Sequence, residues 1–563
     1  MPASFTSLSI HEGPAPSAPK PSHELSITTL VDEPPKEKDE EWKPSTHEKA
    51  IIYTLAIISM IVALDASIIV TTLNHIVSDI GGSATEAFWI GTSYLLVNAV
   101  SMPFLCAVSD VVGRPICLTF SLGAFLVGTI CCAAAGDMAT LLAGRSVQGV
   151  GGAGIHALGL VTQTDIVPLR WRPKWYGVTL AAWAFGLSVG PIIGGAVVQR
   201  STWRWVFYIM LPFCGFGLVA IPYLLTLRPK AATAREKVAR IDWVGGALFT
   251  GSATSFLVAI SWGGSQYAWG SAQTLAPLII GVAGLLATAV YESNYAKYPF
   301  LRRSLYHDTT SACTYVAGCI QGLVMYGLLY YTPFYFLSVK NYTALDAGIA
   351  ILASLLTVTI GGIVSGRIVS YFNNYRWPIC IGWLFASIGA GLYLIWPTND
   401  GAEVWVITLL IIGSGHGIVL NAQNFASQAM CKPGDEAAAA AMYAFVRQFG
   451  MALGVGIGGT TFQNVMALKL QWLGLDTEIA KEAESYIGVL KTLPHDDFWR
   501  NIIDSYKYGF MGVCSFYLAI SVVALVISLV FVKNVDMTRD LETEHHLDGD
   551  RLAKHWGKNQ EQV

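Results

Sequence analysis

The sequence contains few charged residues. Only 13% of its 563 residues are Asp, Glu, Lys or Arg, about half the usual share for soluble globular proteins, whereas 53% are hydrophobic. The net charge of −3 suggests no basic surface, so no nucleic-acid partner is expected. This composition argues against several soluble domains and favours a chain that lies largely in lipid.

Motifs for catalysis and metal binding are also missing. The ten cysteines form no CxxC pair and no metal-ligand spacing, so we interpret them as small apolar residues rather than a disulfide framework. No GxxxxGK(S/T) phosphate-binding loop is present, which excludes an ATP-driven pump, and no Ser-His-Asp or zinc-ligand arrangement stands out. We therefore expect no enzyme activity, no cofactor and no metal.

Long apolar runs dominate the rest of the chain. From Ala50 onward, runs of about 20 residues recur, each long enough to cross about 30 Å of hydrocarbon as a helix. Residues 1–49 are rich in Pro, Ser, Glu and Lys and have no apolar core near Met1, so we expect a disordered cytoplasmic tail and no signal peptide. Residues 536–563 are expected to form a second tail. The fourteen predicted spans are 50–73, 88–109, 116–135, 139–163, 176–198, 203–225, 243–262, 274–293, 310–336, 345–370, 378–397, 403–428, 437–466 and 511–532.

Basic residues indicate the orientation of these spans. The short loops on one side carry basic clusters within 170–174, 228–240 and 297–303, whereas the loops on the other side hold only Arg200, Arg204 and Lys340. Because the more positive side faces the cytoplasm, we expect both termini there, in a multi-pass protein of the cell membrane. Segment 467–510 is then extracellular, and its helical periodicity predicts amphipathic helices at the membrane surface.

Two parts of the sequence resemble each other. FGLSVGPIIGG at 185–195 and FGMALGVGIGG at 449–459 share a Phe and four glycines, and 106–116 corresponds more weakly to 362–372. The offsets, 264 and 256 residues, are similar. They predict two related six-helix halves, 50–225 and 310–535, separated by two inserted helices within 226–309, which is a transporter architecture. Chance similarity between glycine-rich helices is the alternative.

Two charged residues lie deep inside predicted spans. Arg145 is about six residues into the fourth span, hence about 9 Å deep at 1.5 Å per residue, and Asp65 in the first span lies at a similar depth. Such charges usually face a partner or a cavity. We therefore predict an Asp65–Arg145 pair, direct or through Gln148. It is either a structural ion pair or a site where Asp65 exchanges protons as its surroundings alternate between wet and closed.

Further polar residues lie in the second half. Arg447 is placed near mid-membrane, and His416 and Asn421 lie in the twelfth span. Gln321 and nearby tyrosines in the ninth span are candidates to line a cavity for amphipathic organic molecules; the alternative is that the tyrosines face lipid or the core. His416 is either a proton carrier or a hydrogen-bonded core histidine, and the second reading is favoured. The sequence NYT makes Asn341 a glycosylation acceptor in a predicted outer loop.

Two short motifs combine glycine with charged residues or with proline. In VSDVVGRP, residues 108–115, Asp110 and Arg114 can lock helix ends through charge-assisted hydrogen bonds, and Gly113 allows a tight turn between them. Alternatively, Arg114 is simply one of the positive residues of the inner side. In WAFGLSVGPIIGG, residues 183–195, glycines at every fourth position predict a smooth face for close helix packing, and Pro191 predicts a bend.

Together these motifs resemble the fungal fourteen-span drug:proton antiporters of the major facilitator superfamily. The resemblance covers about residues 50–535 and rests on SDVVGRP, LLAGRSVQGVGGAG, GLSVGPIIGG, LDASIIVTTL and WRWVFYIMLP. Cys106, Pro115, Ser67 and Met210 depart from the family's motifs.

The resemblance implies an all-α membrane protein with the major facilitator fold, which exports small organic compounds such as drugs or toxins in exchange for protons. We expect a monomer whose partners are the organic substrate, protons and the lipid bilayer. The implied inner gate comprises Ser109, Asp110, Gly113, Arg114 and Asp165. The implied antiporter helix, taken to favour exchange over leak, carries Gly186, Gly190, Pro191, Gly194 and Gly195. A proton-coupled importer of siderophores or other small molecules, and a non-transporting membrane sensor or scaffold, are the alternatives.

Overall fold

The computed structural model describes residues 42–535 and 537, apart from 82–83, 227–233, 264–265, 307 and 398–400. Most of the predicted tails, 1–49 and 536–563, and the predicted inner-loop cations Arg228 and Lys230 lie outside the described residues. Within this part of the chain the regular structure is helical, with one isolated β-bridge between Gly263 and Tyr267.

Long helices alternate with short connections throughout. The first half contains α1 (Thr46–Ile80), α2 (Ala84–Val112), α3 (Arg114–Ala134), α4 (Met138–Ile166), α5 (Arg172–Arg200), α6 (Trp205–Tyr208) and α7 (Leu211–Leu224). The middle contains α8 (Ala234–Ala239), α9 (Trp243–Trp262) and α10 (Ala272–Asn294). The second half contains α11 (Thr309–Ser338), α12 (Ala344–Phe372), α13 (Arg376–Leu392), α14 (Ala402–Met430), α15 (Glu436–Trp472), α16 (Glu478–Lys481), α17 (Ala483–Leu490) and α18 (Asp497–Phe531).

Thirteen helical segments among the described residues are long and apolar enough to cross a membrane. The predicted fourth span, α4, is not among them, although it is 29 residues long. Most of its residues are buried between neighbouring helices. A helix shielded from lipid does not need an apolar surface, so its polar composition does not prevent it from spanning. With α4 the number would reach the predicted fourteen, and that full count stays a prediction.

The two halves pack their helices in the same pattern. In the first half α1 packs on α5 and α3 on α4, and in the second half α11 packs on α15 and α13 on α14. The halves meet where α2 contacts α15 and where α5 contacts α12. These two contacts are equivalent, because α2 corresponds to α12 and α5 to α15 in the repeat. The inserted helices α9 and α10 pack on each other, and α9 also contacts α2 and α15. This arrangement agrees with two six-helix halves and an inserted pair.

The predicted end of the N-terminal tail at residue 49 is wrong, because hydropathy marks the apolar part of a helix and not its hydrogen-bonded ends. Helix α1 begins inside the predicted tail 1–49, where Ser45 N donates to Glu48 Oε2 (2.7 Å) and Glu48 N donates to Ser45 Oγ (3.2 Å). This reciprocal capping box is visible in the sequence as STHE. Within the predicted extracellular segment 467–510 lie α16, α17, the end of α15 at Trp472 and the start of α18 at Asp497, and its extracellular position stays a prediction.

Candidate functional site

The buried charges of the first half form a direct ion pair. Arg145 on α4 and Asp65 on α1 are 1% and 0% exposed. Arg145 Nη1 donates to both carboxylate oxygens of Asp65, at 2.9 and 2.8 Å. Arg145 Nε donates to the Ile90 carbonyl of α2 at 3.0 Å, so one guanidinium ties three helices together.

A polar network completes this ion pair. Gln148 Oε1 accepts from Arg145 Nη1 (2.6 Å), while Gln148 Nε2 donates to Asp65 Oδ1 (2.9 Å) and to Thr129 Oγ1 on α3 (3.0 Å). The Tyr94 ring lies 4.5 Å from the guanidinium carbon of Arg145. Gln148 therefore bonds to both members of the pair, in addition to their direct contact. A buried ion pair needs such additional hydrogen bonds to offset the loss of hydration.

A cavity reaches this network from one side of the bundle. It measures about 150 Å³, and Arg145 and Tyr94 form part of its wall, with Tyr326 and Tyr330 of α11 opposite. Tyr330 Oη donates to Glu484 Oε1 of α17 at 3.2 Å. The cavity therefore lies between the two halves and extends from Arg145 to Glu484 of α17.

The glycines of α5 allow close contact with α1 next to Asp65. A Cβ atom on Gly186 would lie 2.3 Å from the Met60 carbonyl oxygen, and one on Gly190 would lie 2.0 Å from Ser67 Oγ. On Gly194 it would lie 2.7 Å from the Ile68 carbonyl oxygen. The predicted smooth face is thus present.

The two other members of this helix motif, Pro191 and Gly195, do not take part in this close contact in the same way. A Cβ atom on Gly195 would meet nothing closer than Leu345 Cδ1 of α12, at 3.9 Å. Helix α5 runs without interruption through Pro191, whose carbonyl accepts from Thr71 Oγ1 at 3.3 Å. Gly195 therefore does not belong to the contact with α1.

The residues of the implied inner gate are brought together between α2, α3 and α4. Arg114 is 2% exposed; its Nη1 donates to Ser109 Oγ (2.6 Å) and to Asp110 Oδ1, and its Nε donates to Asp165 Oδ2 (3.1 Å). Gly113 has φ of 119°, a backbone conformation that favours glycine, and it separates α2 from α3. Arg114 therefore joins α3 to α2 and α4, and it is not only one of the positive residues of the inner side.

Sequence reasoning missed how this cluster connects to the second half. Arg302, which precedes α11, donates to Asp435 Oδ1 at the start of α15 (2.5 Å) and to Asp110 Oδ2 (3.5 Å). Ser304 Oγ also donates to Asp435, at 2.7 Å. The sequence signal was weak, since Arg302 counted only toward the inner positive charge. We call Asp110, Arg302, Ser304 and Asp435 the inner latch.

A cavity of about 650 Å³ adjoins the inner latch. Its wall includes Asp110, Arg114, Lys237, Arg302 and Ala441. On the same side of the bundle, a second link joins the halves, since Arg172 Nη1 of α5 donates to Gln428 Oε1 of α14 at 3.0 Å.

The polar residues of the second half do not form one site. Arg447 Nε donates to Gln321 Oε1 at 3.0 Å, and both side chains are buried between α11 and α15. Asn421 instead donates to backbone carbonyls of Gly362 (2.7 Å) and Pro173 (3.4 Å). It therefore joins α14 to α12 and α5.

His416 corrects one expectation from the sequence. It is 2% exposed, and neither ring nitrogen has a hydrogen-bond partner among the described residues. The favoured reading, a hydrogen-bonded core histidine, is therefore wrong. Its ring packs edge-on against Trp383 at 6.2 Å between centroids. Most residues that share its cavity are apolar, and the hydroxyls of Thr332 and Tyr393 there bond to each other.

Asn341 lies in the connection between α11 and α12. Its side chain is exposed and its backbone has a positive φ of 55°. Exposure is a requirement for a glycan acceptor, and glycosylation of Asn341 stays a prediction.

Two repeated helix sets with a cavity between them, and a buried ion pair in the first set beside that cavity, define a multi-pass membrane carrier. The chain belongs to the Major Facilitator Superfamily, whose family model matches residues 55–455. Members of this family are transporters of small molecules across lipid bilayers.

Relatives and solved structures agree with this assignment. The chain is 38% identical to the MFS transporter L2 of Phoma sp., over 90% of this chain and 85% of that protein. It is 30% identical to the MFS-type efflux pump LUC4 of Fusarium sp., over 93% and 94% of the two chains. Among solved structures, a bacterial homologue of the human lysosomal transporter Spinster, inward-facing and unoccupied, aligns with a TM-score of 0.56 and 16% identity, over 88% of this chain and 99% of that chain. The last similarity concerns the fold alone.

Proposed function

We propose that the protein exports small organic compounds from the cell in exchange for protons, by alternating access. The observation that carries this proposal is the buried Asp65–Arg145–Gln148 network at the wall of a cavity between the two halves. The similarity to a protein named as an efflux pump supports export as the direction.

Asp65 is the proton carrier in this proposal. Its carboxylate is charged while Arg145 bonds to both oxygens, and protonation removes that charge. Losing one partner of a buried ion pair costs about 3–5 kcal/mol, so the proton on Asp65 changes which packing of α1 and α4 is favoured. Proton binding and the arrangement of the helices are coupled in this way.

Alternating access also needs contacts that hold one side closed. The inner latch and the Arg172–Gln428 bond join the halves on the side of the α2–α3 loop, which the basic loops assign to the cytoplasm. These contacts break when the protein opens inward to take up substrate. The smooth contact between α5 and α1 lets these helices shift without side chains interlocking.

We further propose that the carrier acts as a monomer in the plasma membrane, with both termini in the cytoplasm. Each half supplies one side of the cavity, so a single chain contains the whole pathway. The excess of basic residues in the loops on the side of the inner latch supports this orientation.

The test of proton coupling is Asp65→Asn, which retains the shape of the side chain and removes its titratable proton. Purified protein is reconstituted into liposomes, a pH gradient is imposed, and transport of a fluorescent organic compound is followed. We expect gradient-driven transport to be lost, while downhill exchange without a gradient persists.

The matched control is Asp137→Asn. Asp137 is an exposed carboxylate that caps α4, and Asn caps a helix equally well, so the control changes charge by the same amount without touching the buried network. Undiminished gradient-driven transport by the Asp65 variant would remove Asp65 from the proton path. Transport in the uptake direction only would favour the importer, and no transport by the wild-type protein would favour the sensor or scaffold.

A further inference from the structure

Arg447 is a buried cation whose hydrogen-bond partners among the described residues are neutral. It is 4% exposed, and its Nε donates to the neutral Gln321 side chain at 3.0 Å. Its Nη2 lies 4.0 Å from the sulfur of Met325, a weak acceptor, and the Trp183 ring centre lies 5.8 Å from its guanidinium carbon. No Asp or Glu among the described residues lies within ion-pair distance of it.

The buried arginine of the first half, Arg145, has a carboxylate partner. There, α1 supplies Asp65 to Arg145. In the second half, α11 takes the place of α1, and its Gln321 follows Asp65 by the same 256 residues that separate the weaker repeat segments. The position that could neutralise Arg447 therefore carries an amide. A buried, unneutralised charge costs several kcal/mol, which a counter-ion from outside the chain would offset.

The surroundings of Arg447 come from both halves. It faces a small cavity of about 20 Å³, whose wall also includes Ser59 of α1, His156 of α4, Trp183 of α5 and Leu420 of α14. A space of this size holds about one water molecule, so an organic ligand enters only when the halves separate. The site thus becomes accessible through the same movement that alternating access requires.

The chemistry of the site selects one class of ligand. A guanidinium with free N–H groups binds a carboxylate through paired, charge-assisted hydrogen bonds. The aromatic and aliphatic groups of Tyr176, Trp183 and Leu180 line the same cavity and suit an apolar body. Because Asp65 and Arg145 neutralise each other, Arg447 gives the centre of the bundle an excess positive charge.

We propose that the transported compounds are amphipathic organic acids, and that Arg447 binds their carboxylate while Gln321 holds the guanidinium in place. This inference rests on the proposed transport function and names its substrate class.

Equilibrium binding to purified protein in detergent tests the proposal without any proton gradient. The probes are 1-pyrenebutyrate and its uncharged methyl ester, followed by fluorescence. The key variant is Gln321→Glu, which keeps the bond to Arg447 and supplies an internal counter-charge. We expect its affinity for the acid to fall by about tenfold or more, and its affinity for the ester to stay within about twofold.

Three further variants exclude a general loss of structure. Arg447→Gln should lose the preference for the acid, whereas Arg447→Lys should retain part of it because the charge remains. Gln471→Glu introduces the same charge at an exposed position of α15 and should leave both affinities unchanged. A thermal unfolding curve identifies any variant that is misfolded.

Two results would overturn the proposal: wild-type protein that binds acid and ester equally or binds no acid, or a Gln321→Glu variant with undiminished affinity for the acid. Failure here is distinct from failure of the proton-coupling test, because a protein can lose gradient-driven transport in the Asp65 variant and still prefer the acid at equilibrium.

Discussion

The contact between α5 and α1 allows a sharp prediction for Gly186→Ala. The added methyl group would lie 2.3 Å from the Met60 carbonyl oxygen and 3.1 Å from both the Ala63 Cβ and the Leu64 nitrogen. Two of these three atoms belong to the backbone of α1, so no side-chain rotation can relieve the clash. The helices must separate by about 1 Å to restore ordinary C–H···O contact distances.

Two opposing terms set the magnitude. Overpacking a well-packed contact costs about 1–3 kcal/mol, and replacing Gly by Ala inside a helix returns about 0.5–1 kcal/mol. The net destabilisation is therefore about 1 kcal/mol, which in a chain of this size lowers the unfolding temperature by about 1 °C.

Gly195→Ala is the matched control. It lies on the same helix, but an added methyl group would meet its nearest neighbours at 3.9 Å, an ordinary contact distance. We expect this variant to unfold at the wild-type temperature or slightly above it, because only the helix-propensity gain remains.

The assay is thermal unfolding in detergent by intrinsic tryptophan fluorescence, followed by gradient-driven transport in liposomes. Separation of the helices at Met60 and Leu64 also displaces the adjacent Asp65, so Gly186→Ala should transport more slowly than Gly195→Ala. Equal unfolding temperatures and equal transport rates in the two variants would refute the reasoning about this contact.

Two further predictions concern the ends of the helices. Arg302→Ala removes the bond to Asp435, so a cysteine introduced at Ala441, in the wall of the inner cavity, should react faster with a maleimide; an unchanged labelling rate would contradict the inner latch. Asp79, beyond the apolar part of α1, has a pKa below its usual range because the Trp203 N–H and a neighbouring guanidinium bond to its carboxylate. The contact with Asp79 stabilises the fold above a pH of about 4, and this stabilisation is lost as the pH falls through the lowered pKa. The unfolding temperature of Asp79→Asn should therefore fall less between pH 5 and pH 3 than that of the wild-type protein. Identical pH profiles of the two proteins would contradict this prediction.

The helical pattern could be predicted from the sequence, and so could much of the candidate site. The approximate positions of the long helices follow the apolar runs, except that capping residues extend helices beyond the lipid, as Ser45 and Glu48 do for α1. The Asp65–Arg145 pair followed from equal depth in two spans. His416 shows the limit of this reasoning, because a polar residue type does not reveal whether its neighbours offer a partner.

The sequence by itself determined that the chain forms membrane-spanning helices, and it predicted two related halves. Apolar runs of this length must satisfy their backbone hydrogen bonds internally when lipid surrounds them, and helices do so locally. Depth along a span could therefore be read from residue number alone. Only the tertiary structure decided which side chains meet, because contact also depends on the direction each residue faces around its helix and on which helix lies beside it. The bond from Arg302 to Asp435 and the position of the neutral Gln321 beside Arg447 both come from that packing.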